Sequence, residues 1–151
     1  MSVFLSHDPQ KACDFIKRFE GFEPIAYACP AGVLTIGYGH TRGVKKGDSI
    51  SKEEAERLLM QDVEQAVGRL APFVNVPVTE GQFVALVSLA YNVGTNYVIT
   101  KCPKLMHALN TGDLEACAEE FLDITRAGGK ILSGLVKRRK AEHDLFLVGV
   151  E

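Results

Sequence analysis

The segment of residues 80–91 constrains the fold of this chain more than any other stretch of the sequence. Its apolar positions leave no polar face: Phe83, Val84, Ala85, Leu86, Val87, Leu89 and Ala90. A helix that is apolar around its whole circumference is stable only when other elements cover it. Thr79 and Gln82 have the spacing of a capping box, which predicts where this helix begins. We therefore expect a helix at the centre of the hydrophobic core.

Helices are also predicted on both sides of this central segment. Asp8 and Pro9 are typical of an N-cap and a first helical residue, and Gly21 is typical of a helix end. Ser51 and Glu54 have the spacing of a second capping box, and an apolar stripe follows as far as Leu70. Shorter helical patterns follow at about residues 103–109, 113–124 and 134–147.

Residues 24–47 have a different pattern, which is typical of short strands and tight turns. Residues 30–32, Pro-Ala-Gly, form a strong turn signal, and the β-favouring residues 33–36 follow it. We predict a small antiparallel hairpin or a three-stranded sheet here. The whole chain is then an α+β protein in a single domain of residues 1–151. A β-lobe at about 22–48 and a larger helical lobe at about 51–149 would leave a ligand cleft between them.

The composition excludes several classes of protein. The chain has 151 residues, 46% hydrophobic and 24% charged, which is typical of a globular domain rather than a disordered one. The net charge of −2 argues against a nucleic-acid-binding protein and provides no general attraction to an anionic cell wall. No apolar run is long enough for a transmembrane helix. The first residues lack the pattern of a signal peptide, so we expect synthesis in the cytoplasm without one.

The cysteines do not indicate a metal site or a disulfide framework. They are Cys13, Cys29, Cys102 and Cys117, and none lies at zinc-ligand spacing from the histidines. Without a signal peptide, reduced thiols are the default expectation, although one disulfide formed after export stays an alternative.

Glu20 is the first candidate for chemistry. It is predicted at the C-terminal end of the first helix, between Phe19 and Phe22. The partial negative charge of the helix end and the poor hydration beside two phenyl rings both favour a protonated carboxyl. A protonated carboxyl can act as the general acid that a glycosidic oxygen needs. Position alone, however, fits a solvated surface glutamate better.

The spacing after Glu20 is more specific. Eight residues separate Glu20 from Cys29, five separate Cys29 from Thr35, and the run Gly-Tyr-Gly-His-Thr follows at 37–41. This pattern resembles the catalytic signature of the phage-type lysozymes, glycoside hydrolase family 24. Their signature is Glu, then Asp or Cys, then Thr, then a GYGH-like run. Further similar segments follow in the family's order at residues 81–94, 109–113, 127–129 and 134–146.

The resemblance implies a lysozyme-like fold and a muramidase (lysozyme) activity. Such an enzyme cleaves the β-1,4 bond between N-acetylmuramic acid and N-acetylglucosamine in peptidoglycan. Glu20 would be the general acid, the side chain at Cys29 would orient water or act as base or nucleophile, and Thr35 would help to hold the water. No metal or cofactor is implied. The expected context is phage- or prophage-type cell lysis by a monomer that reaches the cell wall (periplasm) after release or delivery.

Cys29 departs from the commoner aspartate of this family. A thiol at this position is a base or nucleophile only when its pKa is lowered enough to form the thiolate. The alternative function is therefore a catalytically impaired peptidoglycan-binding or scaffolding module on the same fold. Whether the reaction inverts or retains also stays open, because it depends on the distance between Cys29 and Glu20.

Four further residues are expected to border the substrate. Gly39 would let sugar or backbone approach closely, and His40 is expected as a hydrogen-bonding group near the cleft. Tyr91 and Asn92 end the central helix, where sugar stacking and substrate binding compete with core packing and capping as interpretations. The basic run at residues 137–140 is expected on a solvated helix face. Two alternatives are that part of it faces Glu20 in an ion pair, or that it attracts anionic glycan locally.

Overall fold

The computed structural model describes residues 2–150. In chain order, its main elements are α1 (Pro9–Glu20), β1 (Glu23–Ala28), β2 (Leu34–Gly37), α2 (Lys52–Leu70), α3 (Glu80–Val93), α4 (Thr95–Lys101), α5 (Pro103–Thr111), α6 (Leu114–Phe121), β3 (Arg126–Ala127), β4 (Lys130–Ile131) and α7 (Ser133–Phe146). Short 3-10 turns lie at Phe4–Ser6 and Ala71–Phe73.

Helix α3 forms the centre of the core. Every side chain from residue 82 to residue 90 is buried, and α1, α2, α4 and α7 all pack against this helix. The predicted capping box is present, since Thr79 Oγ1 accepts a hydrogen bond from the Gln82 backbone and Gln82 Oε1 accepts one from the Thr79 backbone. The core extends from Phe4 near the start of the chain to Phe146 at the end of α7.

Helix α1 carries Glu20 as its last residue, as the sequence predicts. Asp8 caps the start of the helix by accepting from the backbone N–H of Gln10 at 2.9 Å. The apolar face of α1 is buried against α3 and α2. Gly21 ends the helix at φ +64°, a conformation that glycine adopts without the strain of a Cβ atom. The helix end therefore fixes where the Glu20 side chain leaves the core.

The β-lobe is a two-stranded antiparallel hairpin, so the hairpin alternative is correct. Strands β1 and β2 pair from Glu23 with Gly37 to Ala28 with Leu34, with an irregularity between. An isolated bridge joins Ile36 to His40, with both backbone hydrogen bonds at 2.9 Å. This bridge folds the chain after β2 back towards the helical lobe.

Three local features differ from the sequence predictions. Helix α4 and the small β3–β4 hairpin were not predicted, because α4 is short and contains β-branched residues, and each strand has two residues. The second predicted capping box is only half present. Ser51 Oγ accepts from the Glu54 backbone, but the Glu54 carboxylate pairs with Arg57. A charged guanidinium is a stronger partner for a carboxylate than a backbone N–H.

Within residues 2–150, no single helix is both long enough and apolar enough to cross a membrane. Helices α3 and α4 reach the threshold only when taken together, and the chain bends by 100° between them.

Candidate active site

Glu20 lies at the centre of the candidate site and forms an ion pair with the last helix. Arg138 Nη1 donates to Glu20 Oε2 at 2.9 Å, and the side chains are 4% and 19% exposed respectively. An ion pair with Glu20 was one alternative for part of the basic run, and Arg138 fits it. The solvated helix face expected for this run is wrong at Arg138 and Arg139, which are both buried. A guanidinium and a carboxylate at this distance form a charge-assisted hydrogen bond. The contact fixes the orientation of the Glu20 carboxyl at the end of α1.

Gly39 lies directly against the Glu20 carboxyl group. A Cβ atom at Gly39 would stand 3.0–3.1 Å from the carboxyl carbon and both oxygens of Glu20, and the backbone there has φ +90°. Both the space and the backbone conformation therefore require glycine. The group that the Gly39 backbone approaches closely is therefore the Glu20 side chain.

Cys29 and Thr35 lie together at the turn end of the β1–β2 hairpin. The Cys29 backbone N–H donates to the Val33 carbonyl at 2.9 Å, and the buried Thr35 hydroxyl donates to the same oxygen at 2.9 Å. Partial burial raises the pKa of the Cys29 thiol, but the polar groups around the sulfur, which are the backbone of Val33 and Ala31 and the Thr35 hydroxyl, outweigh this effect. The net effect lowers the pKa of Cys29 below its ordinary value, which favours the thiolate.

Two tyrosines border the same region. Burial, followed by the charges of Glu20, Glu23 and Cys29, raises the pKa of Tyr27, which places this ring near both candidate catalytic side chains. Tyr91 donates its hydroxyl proton to the Tyr38 carbonyl at 2.5 Å and so links α3 to the turn after β2. Burial and the charge of Glu20 also raise the pKa of Tyr91. Both phenols therefore stay protonated and act as hydrogen-bonding groups.

His40 connects the β-lobe to α2. Its Nδ1 lies 2.6 Å from Asp62 Oδ2 and its Nε2 lies 2.8 Å from the Arg42 carbonyl oxygen. Both partners are acceptors, so only the doubly protonated ring makes both bonds at once. With both nitrogens engaged, the ring positions the loop after Gly39 rather than offering a free nitrogen to the cleft.

A pocket of about 160 Å³ opens beside Gly39 and Tyr91, and its lining includes Arg42, Asp62 and Arg69. Asn92, the next residue in α3, has a buried Oδ1 atom without a hydrogen-bond partner among the described residues. An unpaired buried acceptor costs free energy until a donor reaches it. Asn92 itself is not among the residues that line the pocket.

The turn of the β-lobe approaches the small hairpin of the helical lobe. The Pro30 carbonyl oxygen lies 3.7 Å from the position that a Cβ atom would take at Gly128. Gly128 and Gly129 both have positive φ angles, +58° and +78°. The turn therefore has only backbone atoms, without side chains, at these two positions. The two turns thus meet on the side of the site that carries Cys29.

Comparison with known proteins identifies the family. The model of the "Phage lysozyme" family matches residues 17–142. The chain belongs to the phage lysozyme family. This match covers Glu20, Cys29, Thr35 and Arg138, so all four lie within the part of the chain that defines the family.

Individual phage lysozymes are similar over nearly the whole chain. The endolysin of Acyrthosiphon pisum secondary endosymbiont phage 1 is 40% identical over 144 residues, which is 93% of this chain and 97% of that protein. The endolysin of Bacillus phage B103 is 45% identical over 93% of this chain, but this chain spans only 54% of its length.

Solved structures confirm the predicted α+β, lysozyme-like fold. The muramidase domain of SpmX from Asticaccaulis excentricus superposes with a TM-score of 0.81 at 32% identity, covering 93% of this chain and 98% of that one. The endolysin from Escherichia coli O157:H7 phage FAHEc1 gives 0.80 at 38% identity, covering 93% of each chain.

The sequence analysis missed several residues around this phage lysozyme site. They are Tyr27, Asp62, Ser88 and Glu142. Ser88 had a usable signal, because it is the one polar residue within the apolar run from 83 to 90. Glu142 had a weaker one, because it stands one helical turn after Arg138 and so shares its helix face.

Proposed function

We propose that this chain is a muramidase that hydrolyses the β-1,4 bond between N-acetylmuramic acid and N-acetylglucosamine in peptidoglycan. One observation carries the proposal. The Glu20 carboxyl lies partly exposed at the end of α1, against Gly39 and Arg138, within the Glu-Cys-Thr spacing of its family. The names of the similar proteins, endolysin and muramidase, support the same activity.

In the proposed reaction, Glu20 is the general acid. Its carboxyl proton passes to the glycosidic oxygen as the bond from C1 to that oxygen breaks. The oxygen of a water molecule ends bonded to C1, and the water's second proton restores the acid. The lowered pKa of Cys29 supports a thiolate with one of two roles. It takes this same proton from the water and passes it on towards the Glu20 carboxylate, or it bonds to C1 first and leaves again as thiolate when the water displaces it. Thr35 is assigned to hold the sulfur and the water in place.

Substrate binding is assigned to Gly39, His40, Tyr91 and Asn92. Gly39 and Tyr91 line the pocket beside Glu20, and the buried Oδ1 of Asn92 would accept the N–H of an acetamido group. His40 contributes to substrate binding indirectly, because its bond to Asp62 fixes the loop after Gly39.

The biological setting is proposed on the same basis. A single lysozyme-like domain of residues 1–151, with the β-lobe at about 22–48 and the helical lobe at about 51–149, would act as a monomer on cell-wall glycan strands. It would reach them after release or delivery from the cytoplasm, in phage- or prophage-type lysis. Support comes from the phage endolysins among its relatives and from a core that runs from Phe4 to Phe146.

The test is the loss of turbidity of purified peptidoglycan with wild type, Glu20→Gln, Cys29→Ser and Cys29→Asp. Glu20→Gln is expected to lower the rate by about 10²–10⁴-fold, because the amide has no acidic proton to donate. Cys29→Asp should keep activity and Cys29→Ser should lose most of it if the anionic sulfur takes part. Glu23→Gln is the matched control, since Glu23 is an exposed carboxylate three residues away.

Two outcomes would reject the enzyme proposal. One is equal lysis by wild type and Glu20→Gln. The other is no lysis by a folded wild type that still sediments with sacculi, which would leave the alternative of a catalytically impaired peptidoglycan-binding module.

A further inference from the structure

A second carboxylate lies buried behind the candidate site. Glu142 in α7 is fully buried, and its Oε2 accepts a hydrogen bond from Ser88 Oγ at 2.5 Å. Arg138 Nε lies 3.5 Å from Glu142 Oε2, and Arg139 Nε lies 2.7 Å from Glu142 Oε1. Burial raises the pKa of Glu142, while the charges of Arg139 and Arg138 oppose that rise.

Arg138 is held between this carboxylate and Glu20. Its Nη1 donates to Glu20, its Nη2 donates to the Ser88 carbonyl at 3.2 Å, and its Nε faces Ser88 and Glu142. The guanidinium is planar and rigid, so fixing its Nε edge also fixes the Nη1 atom that touches Glu20. The position of Arg138 at the site is therefore set by groups that do not themselves reach the cleft.

Stability alone is a weak reason for such an arrangement. Two charges taken out of water lose hydration, and replacing a buried ion pair by apolar side chains is often neutral or stabilising. The Glu142 carboxylate also stands close enough to share the positive charge of Arg138 with Glu20.

We propose that Glu142 is a positioning residue for the reaction: with Ser88 it fixes Arg138 against Glu20, and it shares the charge of that guanidinium. This inference rests on the proposed function. Arg138 facing Glu20 alone would favour the ionised carboxylate, which cannot donate a proton. A second carboxylate on the same guanidinium reduces this effect, so Glu20 holds its proton at higher pH.

The other ionisable groups near the two carboxylates do not replace Glu142 in this role. Tyr27 of β1 and Tyr91 of α3 act on Glu20 as neutral phenols, since both have raised pKa values. Arg139 adds a second positive charge on the Glu142 side. Helix α6 also packs on α7, and its Glu119 pairs with His143 at the surface.

The test compares Glu142→Gln and Glu142→Asp with wild type. Asp144→Asn is the matched control, because it removes the same charge from α7 at an exposed position paired with Lys140. The first readout is the titration of the Glu20 carboxyl by ¹³C NMR on glutamate-labelled protein, assigned with Glu20→Gln. The second is the pH profile of kcat/KM on peptidoglycan. The NMR readout needs no turnover, so failure of the proposed function and failure of this inference are separate results.

Glu142→Gln is expected to lower the Glu20 titration midpoint by about one pH unit, and the alkaline limb of kcat/KM should shift with it. Asp144→Asn should leave both near wild type. An unchanged Glu20 midpoint in folded Glu142→Gln would overturn the inference.

Loss of the Glu142 charge leaves the buried Arg139 guanidinium without its carboxylate, so Glu142→Gln can fail to fold. Glu142→Asp then decides, because it keeps the charge but shortens the side chain. It is expected to lower kcat about tenfold with KM unchanged, since Arg138 is displaced from Glu20 while the cleft is intact. A wild-type kcat in this variant would contradict the positioning role.

Discussion

At the scale of single residues, Cys29 differs from the other cysteines in both exposure and hydrogen bonding. Burial raises the pKa values of Cys13 and Cys117 to about 12 and also raises that of Cys102. Cys29 is partly exposed, and donors around its sulfur lower its pKa despite partial burial. The reactive form of a cysteine is the thiolate, so the same protein contains three protected thiols and one activated thiol.

Alkylation of the native protein by iodoacetamide should therefore modify Cys29 selectively. Its rate is expected to rise with pH around a midpoint below that of an ordinary thiol, because the thiolate forms at lower pH. Thr35→Val removes one of the polar groups that lower the pKa of Cys29, so it should move the midpoint upwards. Peptide mass spectrometry after timed pulses measures each site, and denatured protein, in which all the cysteines react alike, is the control. Equal native rates for Cys29 and Cys102 would contradict this assignment.

Gly39→Ala tests the close approach at Glu20. The added methyl group would meet the Glu20 carboxyl, and the positive φ adds strain, so we expect a loss of about 1–3 kcal/mol in stability. Displacement of Glu20 should also lower kcat about a hundredfold. Gly43→Ala is the matched control, because Gly43 has φ +70° but nothing within 4 Å. It should cost about 1 kcal/mol and keep full activity; equal effects of the two variants on kcat would argue against steric contact with Glu20.

The sequence was sufficient to predict the spacing of Glu20, Cys29 and Thr35, because a local motif fixes them within one helix end and one hairpin. For the contact between Glu20 and the basic run, the sequence provided one alternative among several, because charge alone does not show which face of a helix is buried. The roles of Glu142 and Ser88 could not be predicted from the sequence. Their role depends on how two helices from distant parts of the chain pack, and spacing along the sequence does not encode that.

At the scale of elements, the packing of α3 against α7 determines where Arg138 and Ser88 meet. The two helices come closest at Gly81, where a Cβ atom would stand 2.5 Å from the Leu145 carbonyl oxygen. Backbone cannot move aside as a flexible side chain can, so this glycine sets the separation of the helices. The sequence predicted both helices but contained no signal for their spacing.

Gly81→Ala is expected to destabilise the protein by about 1–3 kcal/mol, because the helices must separate to admit the methyl group. Gly68→Ala is a matched control in the last turn of α2, where nothing lies within 4 Å of the added Cβ atom. It should stabilise by about 0.5–1 kcal/mol, since alanine is the better helix former. Urea denaturation of both variants measures the difference. A stabilising effect of Gly81→Ala would mean that the space between the two helices already admits a methyl group.

At the scale of the whole molecule, one buried cluster joins the N-terminal turn, the central helix and the last helix. It contains Phe4, residues from α1 to α6, and Phe146. The β-lobe is attached to this cluster through Tyr38 and through the bonds of His40 to Asp62 and Tyr91 to Tyr38. These attachments favour unfolding of both lobes together.

Thermal unfolding is therefore expected to be a single cooperative transition, with the calorimetric enthalpy equal to the van't Hoff enthalpy. Asp62→Asn weakens the bond to His40 and should lower the midpoint by a few degrees for about 1–2 kcal/mol lost, without splitting the transition. Calorimetry on wild type and this variant tests the expectation, with Asp144→Asn as the control for an exposed carboxylate. Two resolved transitions in wild type would instead indicate that the lobes unfold as separate units.

The ion pair between Glu20 and Arg138 joins positions 118 residues apart in the chain. A ribosome that makes this protein releases Glu20 early and Arg138 only near the end of synthesis. Every product that ends before residue 138, whether still being translated or released by premature termination, lacks the arginine that pairs with Glu20. Such a product also lacks most of α7, so the apolar helix α3 is left without one of the elements that cover it.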